Sequence, residues 1–364
     1  MKRLLSTLLA LTMALALVSC GKSNPTPNTG SNKTETPSET TDTKTEGNVH
    51  IGIVTGSVSQ SEDDRRGAEA FQALYGEDMV KLAIYPDNFT EELETTIQTI
   101  VNLADDADMK AIIVNQSVPG TTEAFRKIKD GYLDVCLCGG SESTITEFTL
   151  GGFRTMKALT TETDPAKAST PFDLNRGGFV LGEGSAVLVL EEYEHAKARG
   201  AKIYCELAGY GATCDAYHMT APADECGASS KAMIEAYTEA GLKPEDITYI
   251  NAHGTSTHLN DMLETKAVKI ALGEEQARKV KINSTKSMTG HMLGGTGAVE
   301  AAVCALSIRD GFIHQTIGYT TPDPECDLDY CVDGPVEMPV NAALSNSLGF
   351  GGHNATLCFK KCVD

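Results

Sequence analysis

A chain of 364 residues is long enough for two ordinary domains, each with a sizeable core. Apolar residues make up 41% and charged residues 22%, which excludes wholesale disorder and collagen-like repeats. Acidic residues outnumber basic ones by 50 to 30, and the formal charge of −20 excludes a general nucleic-acid or anionic-membrane surface, since both need a basic face.

Met1-Lys2-Arg3, the apolar run Leu4 to Val18 and the closing Ser19-Cys20 form a secretory signal. The run has 15 residues, short of the roughly 20 that span a bilayer as a helix. Leu17-Val18-Ser19-Cys20 resembles a bacterial lipobox, which makes Cys20 the lipidation site of a mature lipoprotein; the alternative is an uncleaved anchor with an incidental cysteine. Residues 21–48 contain no aliphatic, aromatic, Met or Cys side chain and are expected to be a disordered, solvated tether. Membrane contact is then expected only through the lipid. The eleven cysteines contain no CxxC pair and read as reduced, buried thiols of the kind common in cytosolic proteins. Location is therefore in conflict: the first twenty residues direct export, and the thiols point to the cytoplasm.

From residue 49 the text is α/β. Strand-like Val49–Thr55, Val80–Tyr85 and Lys110–Val114 alternate with helical patterns at Glu62–Tyr75 and Glu91–Leu103, which predicts βαβ units on a parallel sheet. Residues 49–121 resemble the opening of a periplasmic solute-binding lipoprotein, and only a partial lobe of it.

A second text begins near residue 122. Glu123–Gly131 predicts a helix ending on glycine, and Asp134–Ser143 a buried strand running into a glycine turn. Pro171-Phe172-Asp173-Leu174-Asn175-Arg176-Gly177-Gly178-Phe179-Val180-Leu181-Gly182-Glu183-Gly184 leads into the strand Ala186–Leu190. Asn251-Ala252-His253-Gly254-Thr255-Ser256-Thr257 follows a strand ending at Ile250, and Ser284-Thr285-Lys286-Ser287-Met288-Thr289-Gly290-His291 follows Val280–Ile282. Asn346-Ser347-Leu348-Gly349-Phe350-Gly351-Gly352-His353-Asn354 follows Ala342–Leu344. Loops at strand ends are where open α/β sheets bind ligands. Singly, a lone histidine is more often structural than catalytic, and without GxGxxG a dinucleotide fold has little support.

Together these segments, through Lys361, resemble the beta-ketoacyl-acyl-carrier-protein synthases, closest to the chain-elongating type II members. The resemblance implies a thiolase-like α/β fold of two halves in five layers. Its amino-terminal half is truncated to residues 122–197, and its carboxy-terminal half is complete over 198–362. Such enzymes move an acyl group from a carrier thioester to a cysteine, decarboxylate malonyl-carrier protein, and let the carbanion attack the acyl-cysteine. Decarboxylation leaves negative charge on the malonyl thioester oxygen, and two imidazole N–H donors stabilise that enolate as an oxyanion hole does. The resemblance assigns the donors to His253 and His291. It assigns Lys286 to a charge network with Glu300 and Asp261 as partners, and Phe350 to the gate of the acyl pocket, its N–H to an acyl oxyanion hole. Thr255 and Thr257 match hydroxyls that bind the carrier's pantetheine arm. Asp215-Ala216-Tyr217-His218-Met219-Thr220 places His218 and Thr220 near the malonyl or carrier entrance. No bound cofactor is implied, since substrates ride on the phosphopantetheine of acyl carrier protein, the implied partner. A homodimer is also implied, although the missing half removes much of the surface it would use. Cys136 and Cys138 alternate on one strand, and Cys326/Cys331 and Cys358/Cys362 lack paired zinc spacing, so no metal is expected.

The family nucleophile sits at the amino end of the helix whose tail is Glu123–Lys129. Val114-Asn115-Gln116-Ser117-Val118-Pro119-Gly120 occupies that place and contains no cysteine. A lipoprotein start and a synthase end thus meet near residues 114–123. The expectation is a synthase by descent that does not condense alone. The alternatives are a lipid-anchored solute-binding fragment and a chimeric gene product.

Overall fold

Why the first stretch folds as a doubly covered sheet is visible in its central strand. In a computed structural model describing residues 49–56, 62–88, 92–104, 106–114 and 134–362, the elements are β1 (His50–Thr55), α1 (Glu62–Tyr75), β2 (Val80–Ile84), α2 (Leu93–Ala104) and β3 (Met109–Val114). β1 pairs in parallel with β2 on one side and β3 on the other. Its alternate residues enter opposite cores: Ile51 and Ile53 pack with Phe71 of α1, and Val54 packs with Ile100 of α2. A strand apolar on both faces needs a helix on each, and the two crossovers supply them. The expected strands and helices appear here within two residues of the bounds read from sequence. Cys20, the tether 21–48, the segment after Val114 and the helix expected at Glu123–Gly131 lie outside the described residues.

Contacts divide the chain into residues 1–133 and 134–364. The second unit begins with the antiparallel pair β4 (Val135–Glu142) and β5 (Gly184–Glu191), with the helix α3 (Glu147–Thr155) between them in sequence. The main sheet follows: β6 (Glu206–Cys214), β7 (Tyr249–Asn251), β8 (Lys281–Asn283), β9 (Ala342–Gly349) and β10 (His353–Lys360), in the order β6-β10-β9-β7-β8. β7 runs parallel to β8 and β9, while β10 is antiparallel to β9 and β6.

Two helices, α4 (Gly227–Glu239) and α5 (His258–Leu272), cover one face of this sheet, burying Ile250, Ile282 and Leu344 with Met233 and Val268. On the other face lies α6 (Thr296–Asp310), whose Ala301, Cys304 and Ile308 pack with Tyr249, Ala343 and Phe359. α6 also packs against β4 and β5. It is therefore enclosed between two sheets, and its sequence is apolar all round rather than striped. These four layers, helices over sheet over helix over sheet, follow the order of the expected five-layer thiolase-like stack.

Two expectations need correction. Gly139 and Gly140 do not form a turn: β4 continues through both to Glu142. A Cβ on Gly139 would lie 2.3 Å from the Ala186 carbonyl oxygen, and one on Gly140 2.4 Å from that of Gly294. These glycines admit neighbouring backbone and do not bend the chain. Likewise β9 does not end at Leu344 but runs to Gly349, so the third glycine-rich loop shrinks to the turn Phe350–Gly352. Cys138, Cys205, Cys214, Cys226, Cys304, Cys326, Cys331 and Cys358 are free thiols. No helix among those residues is long and apolar enough to cross a membrane.

α3 buries no residue, and its Phe148 is 91% exposed, with Leu150 and Met156 also open. An aromatic ring as exposed as that of Phe148 favours association. Phe148→Glu is expected to raise the concentration at which the chain stays monomeric, without lowering its melting temperature, because the ring contributes little to the core. Sedimentation velocity across a concentration series, with a thermal melt, checks this; unchanged association would clear α3 of the role.

Candidate active site

β7 and β8 are parallel neighbours, so they release their loops at the same sheet edge. The Ala252 N–H donates to the Asn283 carbonyl at 2.8 Å, holding the two exits side by side. In the first loop the main chain is gripped by a buried carboxylate from α5: the N–H groups of His253 and Gly254 donate to Glu264 Oε1 and Oε2, each at 2.8 Å. Asn346 of β9 donates to the same Oε1 at 3.2 Å. Gly254 sits at φ +39°, and a Cβ there would come 2.7 Å from that of Ser284, whose hydroxyl donates to the Gly254 carbonyl. In the second loop, the His291 N–H donates to the Val180 carbonyl at 2.7 Å and its carbonyl accepts from Gly182 N–H at 3.0 Å.

These two anchorages bring the imidazoles of His253 and His291 together, ring centroids 5.3 Å apart with planes at 85°. The His291 Nδ1 accepts the Leu293 N–H at 3.3 Å, with the Thr296 hydroxyl at 3.2 Å, which leaves its proton on Nε2. His253 is buried, and among the described residues nothing hydrogen-bonds its Nδ1. Burial, reinforced by the Lys286 charge, holds His291 down at about 3. Burial first, then Lys286 and His291, holds His253 well below the usual imidazole range. Both rings are thus neutral near pH 7, each with one N–H to donate.

Lys286 is buried, and its Nζ donates to Glu300 Oε1 at 2.7 Å. Burial pushes the Glu300 carboxyl up to about 7 against the pull of that lysine. Asp261, the second expected partner of Lys286, is not in this pair. Its carboxylate accepts the Phe172 N–H at 2.9 Å and faces Arg176 at 3.6 Å. Glu264, three residues further along α5, is raised by burial against the N–H groups of Gly254 and His253, the Asn346 amide and, last, the Lys286 charge, and it is the carboxylate that grips the His253 loop. Sequence reading missed Glu264; the signal was its i, i+3 spacing from Asp261, which puts both on one side of the helix.

Arg176 was also missed. Its buried guanidinium donates to the carbonyls of Thr257 at 3.2 Å and His258 at 2.7 Å, to that of Asp173 at 2.8 Å, and to the Asp323 carboxylate. It is a clamp on the far end of the histidine loop. Between those anchors Thr255 and Thr257 share a hydroxyl–hydroxyl bond of 2.8 Å.

Phe350 is half exposed at the β9–β10 turn. It connects to the histidines through a line of rings: Phe350 to Phe153 at 6.4 Å, Phe153 to Phe179 at 5.3 Å, and Phe179 to His291 at 5.2 Å. His218 and Thr220 stand on an exposed loop, where the His218 Nδ1 accepts the N–H groups of Thr220 and Ala221 at 3.1 Å. This loop is tied to the Phe350 turn, since Gly351 N–H donates to the Met219 carbonyl at 2.7 Å and Asp215 N–H to that of Gly352 at 2.8 Å. His253, His291 and Phe350 are therefore joined through ring contacts, and the Lys286–Glu300 pair acts on both histidines through the lysine charge. His218 and Thr220 belong to the loop tied to the Phe350 turn, and Asp261 is engaged with Phe172 and Arg176 instead.

The depressed histidines set an acid limit. As pH falls below about 6.5 the unfolded chain takes up protons that folded His291 refuses until about 3. Stability is therefore full above 6.5 and lost on acidification, by about 1.4 kcal/mol per pH unit for each such group. Glu300, raised by burial, works in the opposite sense and costs stability as pH rises toward 7. Denaturant unfolding at pH 6.5 and pH 5 is expected to show a smaller acid loss for His291→Asn than for the native chain. Equal losses would contradict the buried, neutral state of the ring.

A thiolase-like scaffold accounts for this arrangement, with parallel strands delivering two histidine loops to one edge above a buried lysine. The family model "Beta-ketoacyl synthase, C-terminal domain" matches residues 204–320, and "Beta-ketoacyl synthase, N-terminal domain" matches 117–196. A 3-oxoacyl-[acyl-carrier-protein] synthase 2 of Synechocystis sp. is 52% identical over 240 residues, 66% of this chain and 58% of that protein. A solved beta-ketoacyl synthase from Burkholderia phymatum shares 32% identity, with a TM-score of 0.65 over 88% of this chain and 77% of its own. A chain of the AntDE:AntF assembly, a type II PKS acyl-carrier protein in complex with its ketosynthase, gives 32% and 0.67 over 86% and 78%. The chain belongs to the beta-ketoacyl synthase family. It spans only 58% of the length of the Synechocystis relative. Residues 49–145 match a model described as a protein of unknown function (DUF3798), which lends no support to a solute-binding reading. The matches of the two amino-terminal models overlap over residues 117–145, across the join read from sequence.

Proposed function

We propose that this chain is a beta-ketoacyl-acyl-carrier-protein synthase by descent, whose residues from 134 on retain the malonyl half of the reaction. The observation that carries the reading is the pair of neutral imidazoles 5.3 Å apart, held by separate backbone anchors. With a malonyl thioester bound, the C–C bond to the carboxylate breaks, carbon dioxide leaves, and the electron pair moves onto the thioester oxygen. The His291 Nε2–H and a His253 N–H stabilise that enolate. Protonation at carbon by water then gives the acetyl thioester. Thr255 and Thr257 would receive the pantetheine arm, with His218, Thr220 and the Phe350 turn at the entrance.

The partner in this reading is acyl carrier protein, consistent with the AntDE:AntF neighbour, whose ketosynthase is solved with its carrier. Condensation needs an acyl-cysteine, and Val114–Gly120 contains none. The chain alone is therefore expected to turn malonyl-carrier protein into acetyl-carrier protein, and to form no ketoacyl product from added acyl-carrier protein. Intact-mass analysis of the carrier after incubation tests this. Ketoacyl product would refute the missing nucleophile, and absence of both products would refute the retained half-reaction. Processing of the lipobox-like Leu17-Val18-Ser19-Cys20 would carry such a chain to the outer side of a membrane, away from cytosolic carrier protein. Labelled fatty-acid incorporation at Cys20 decides that point.

A further inference from the structure

We propose a divalent metal site in the first unit, formed by His50, Asp106 and Asp108, with zinc-class ions as its ligand. Donor atoms from all three side chains lie within 4.8 Å of one another. The expectation of no metal came from cysteine spacing, which cannot register a nitrogen–oxygen set drawn from two separate strand ends. Here the backbone brings the ends together: His50 N–H donates to the Asp108 carbonyl at 2.9 Å, and Met109 N–H to that of Asp106 at 2.9 Å. His50 is the first residue of β1, and the two aspartates form the turn that enters β3. The three side chains are half-buried, so a metal would be partly shielded while remaining reachable.

The donor set selects the ion. One imidazole nitrogen and two carboxylate oxygens suit zinc and its first-row neighbours, whereas calcium wants six or more oxygens and magnesium keeps most of its water. Bonds of about 2.0–2.2 Å put tetrahedral donors about 3.4 Å apart. The His50 Nδ1 and Asp106 Oδ2, now hydrogen-bonded at 2.6 Å, must open slightly to admit the ion. Lys81 exerts its charge on Asp106 as well, which disfavours cations held by charge alone and leaves those that bond to imidazole. Three protein ligands leave a fourth position to water. Such an ion would fasten the start of β1 to the turn before β3, stabilising the folded unit by mass action.

The test uses the full chain, stripped of metal and kept reduced, titrated with cobalt(II) and followed by absorption. One equivalent should give a visible d–d band without the near-ultraviolet charge-transfer band of cobalt–thiolate. His50→Ala and Asp108→Asn should each weaken binding by at least about tenfold, since even indirect ligand partners are worth that much. Zinc should raise the melting temperature of the native chain and not of the variants. Asp108→Asn keeps side-chain size and the backbone bonds, so it guards against a folding defect in His50→Ala. A thiolate band carrying the bound cobalt, unchanged affinity in both variants, or no binding would each overturn the proposal.

Discussion

His291→Ala is expected to cut decarboxylation of malonyl-carrier protein by a few hundredfold, the roughly 3 to 4 kcal/mol that one oxyanion donor supplies. Its Nδ1 is occupied by the Leu293 N–H, so the ring can serve the pocket only as an Nε2 donor. A second variant isolates that role. His291→Gln offers an amide N–H in similar space and should recover part of the rate, whereas a general acid or base would not be replaced by an amide. The pH profile separates the roles again. With His291 held at about 3, decarboxylation should show no step near 6.5, where an ordinary imidazole would titrate. His253→Ala should cost a similar factor, and the double variant less than the product of the two, because both donors serve one oxygen. Acetyl-carrier formation measured by mass across pH 5 to 8 checks all of these. A native rate retained in His291→Ala would remove the imidazole pair from the reaction.

How much of this was legible beforehand differs residue by residue. The histidine loops could be read because each follows a short apolar strand, and a strand end is where such a sheet presents its loops. Which carboxylate serves which loop could not. Asp261 and Glu264 lie less than one turn apart on α5, and local spacing cannot rank them. Their assignment depends on Arg176, which arrives from far upstream and draws Asp261 toward itself, leaving Glu264 to the His253 and Gly254 N–H groups. β4 failed for the same kind of reason. Glycine pairs read locally as turns, yet Gly139 and Gly140 are small because the Ala186 and Gly294 carbonyls press on them from other elements. Periodicity reported what each segment does by itself, and contacts distant in sequence decided the rest.

The second large effect concerns stability. Lys286→Met keeps the length of the buried side chain and removes its charge, leaving Glu300 and Glu264 without their cation. Breaking a buried ion pair from one side costs about 3–5 kcal/mol. The cost should depend on pH in a definite direction. Burial already raises Glu300 to about 7 while Lys286 opposes it, so without the lysine its carboxyl rises further and is neutral in mildly acidic solution. The variant should therefore suffer most near pH 8, where unpaired carboxylates must stay charged, and least near pH 5, where they bind protons. Adding Glu300→Gln to Lys286→Met should restore part of the loss at pH 8 and little at pH 5. Losing Lys286 also lifts one cause of the histidine depression, so His253 and His291 should titrate nearer 6.5 and decarboxylation should acquire an acid limb. Denaturant melts of the native chain and the two variants at both pH values, paired with the decarboxylation profile, read both consequences. A Lys286→Met penalty equal at pH 5 and pH 8 would mean that the lysine acts through packing and not through its charge.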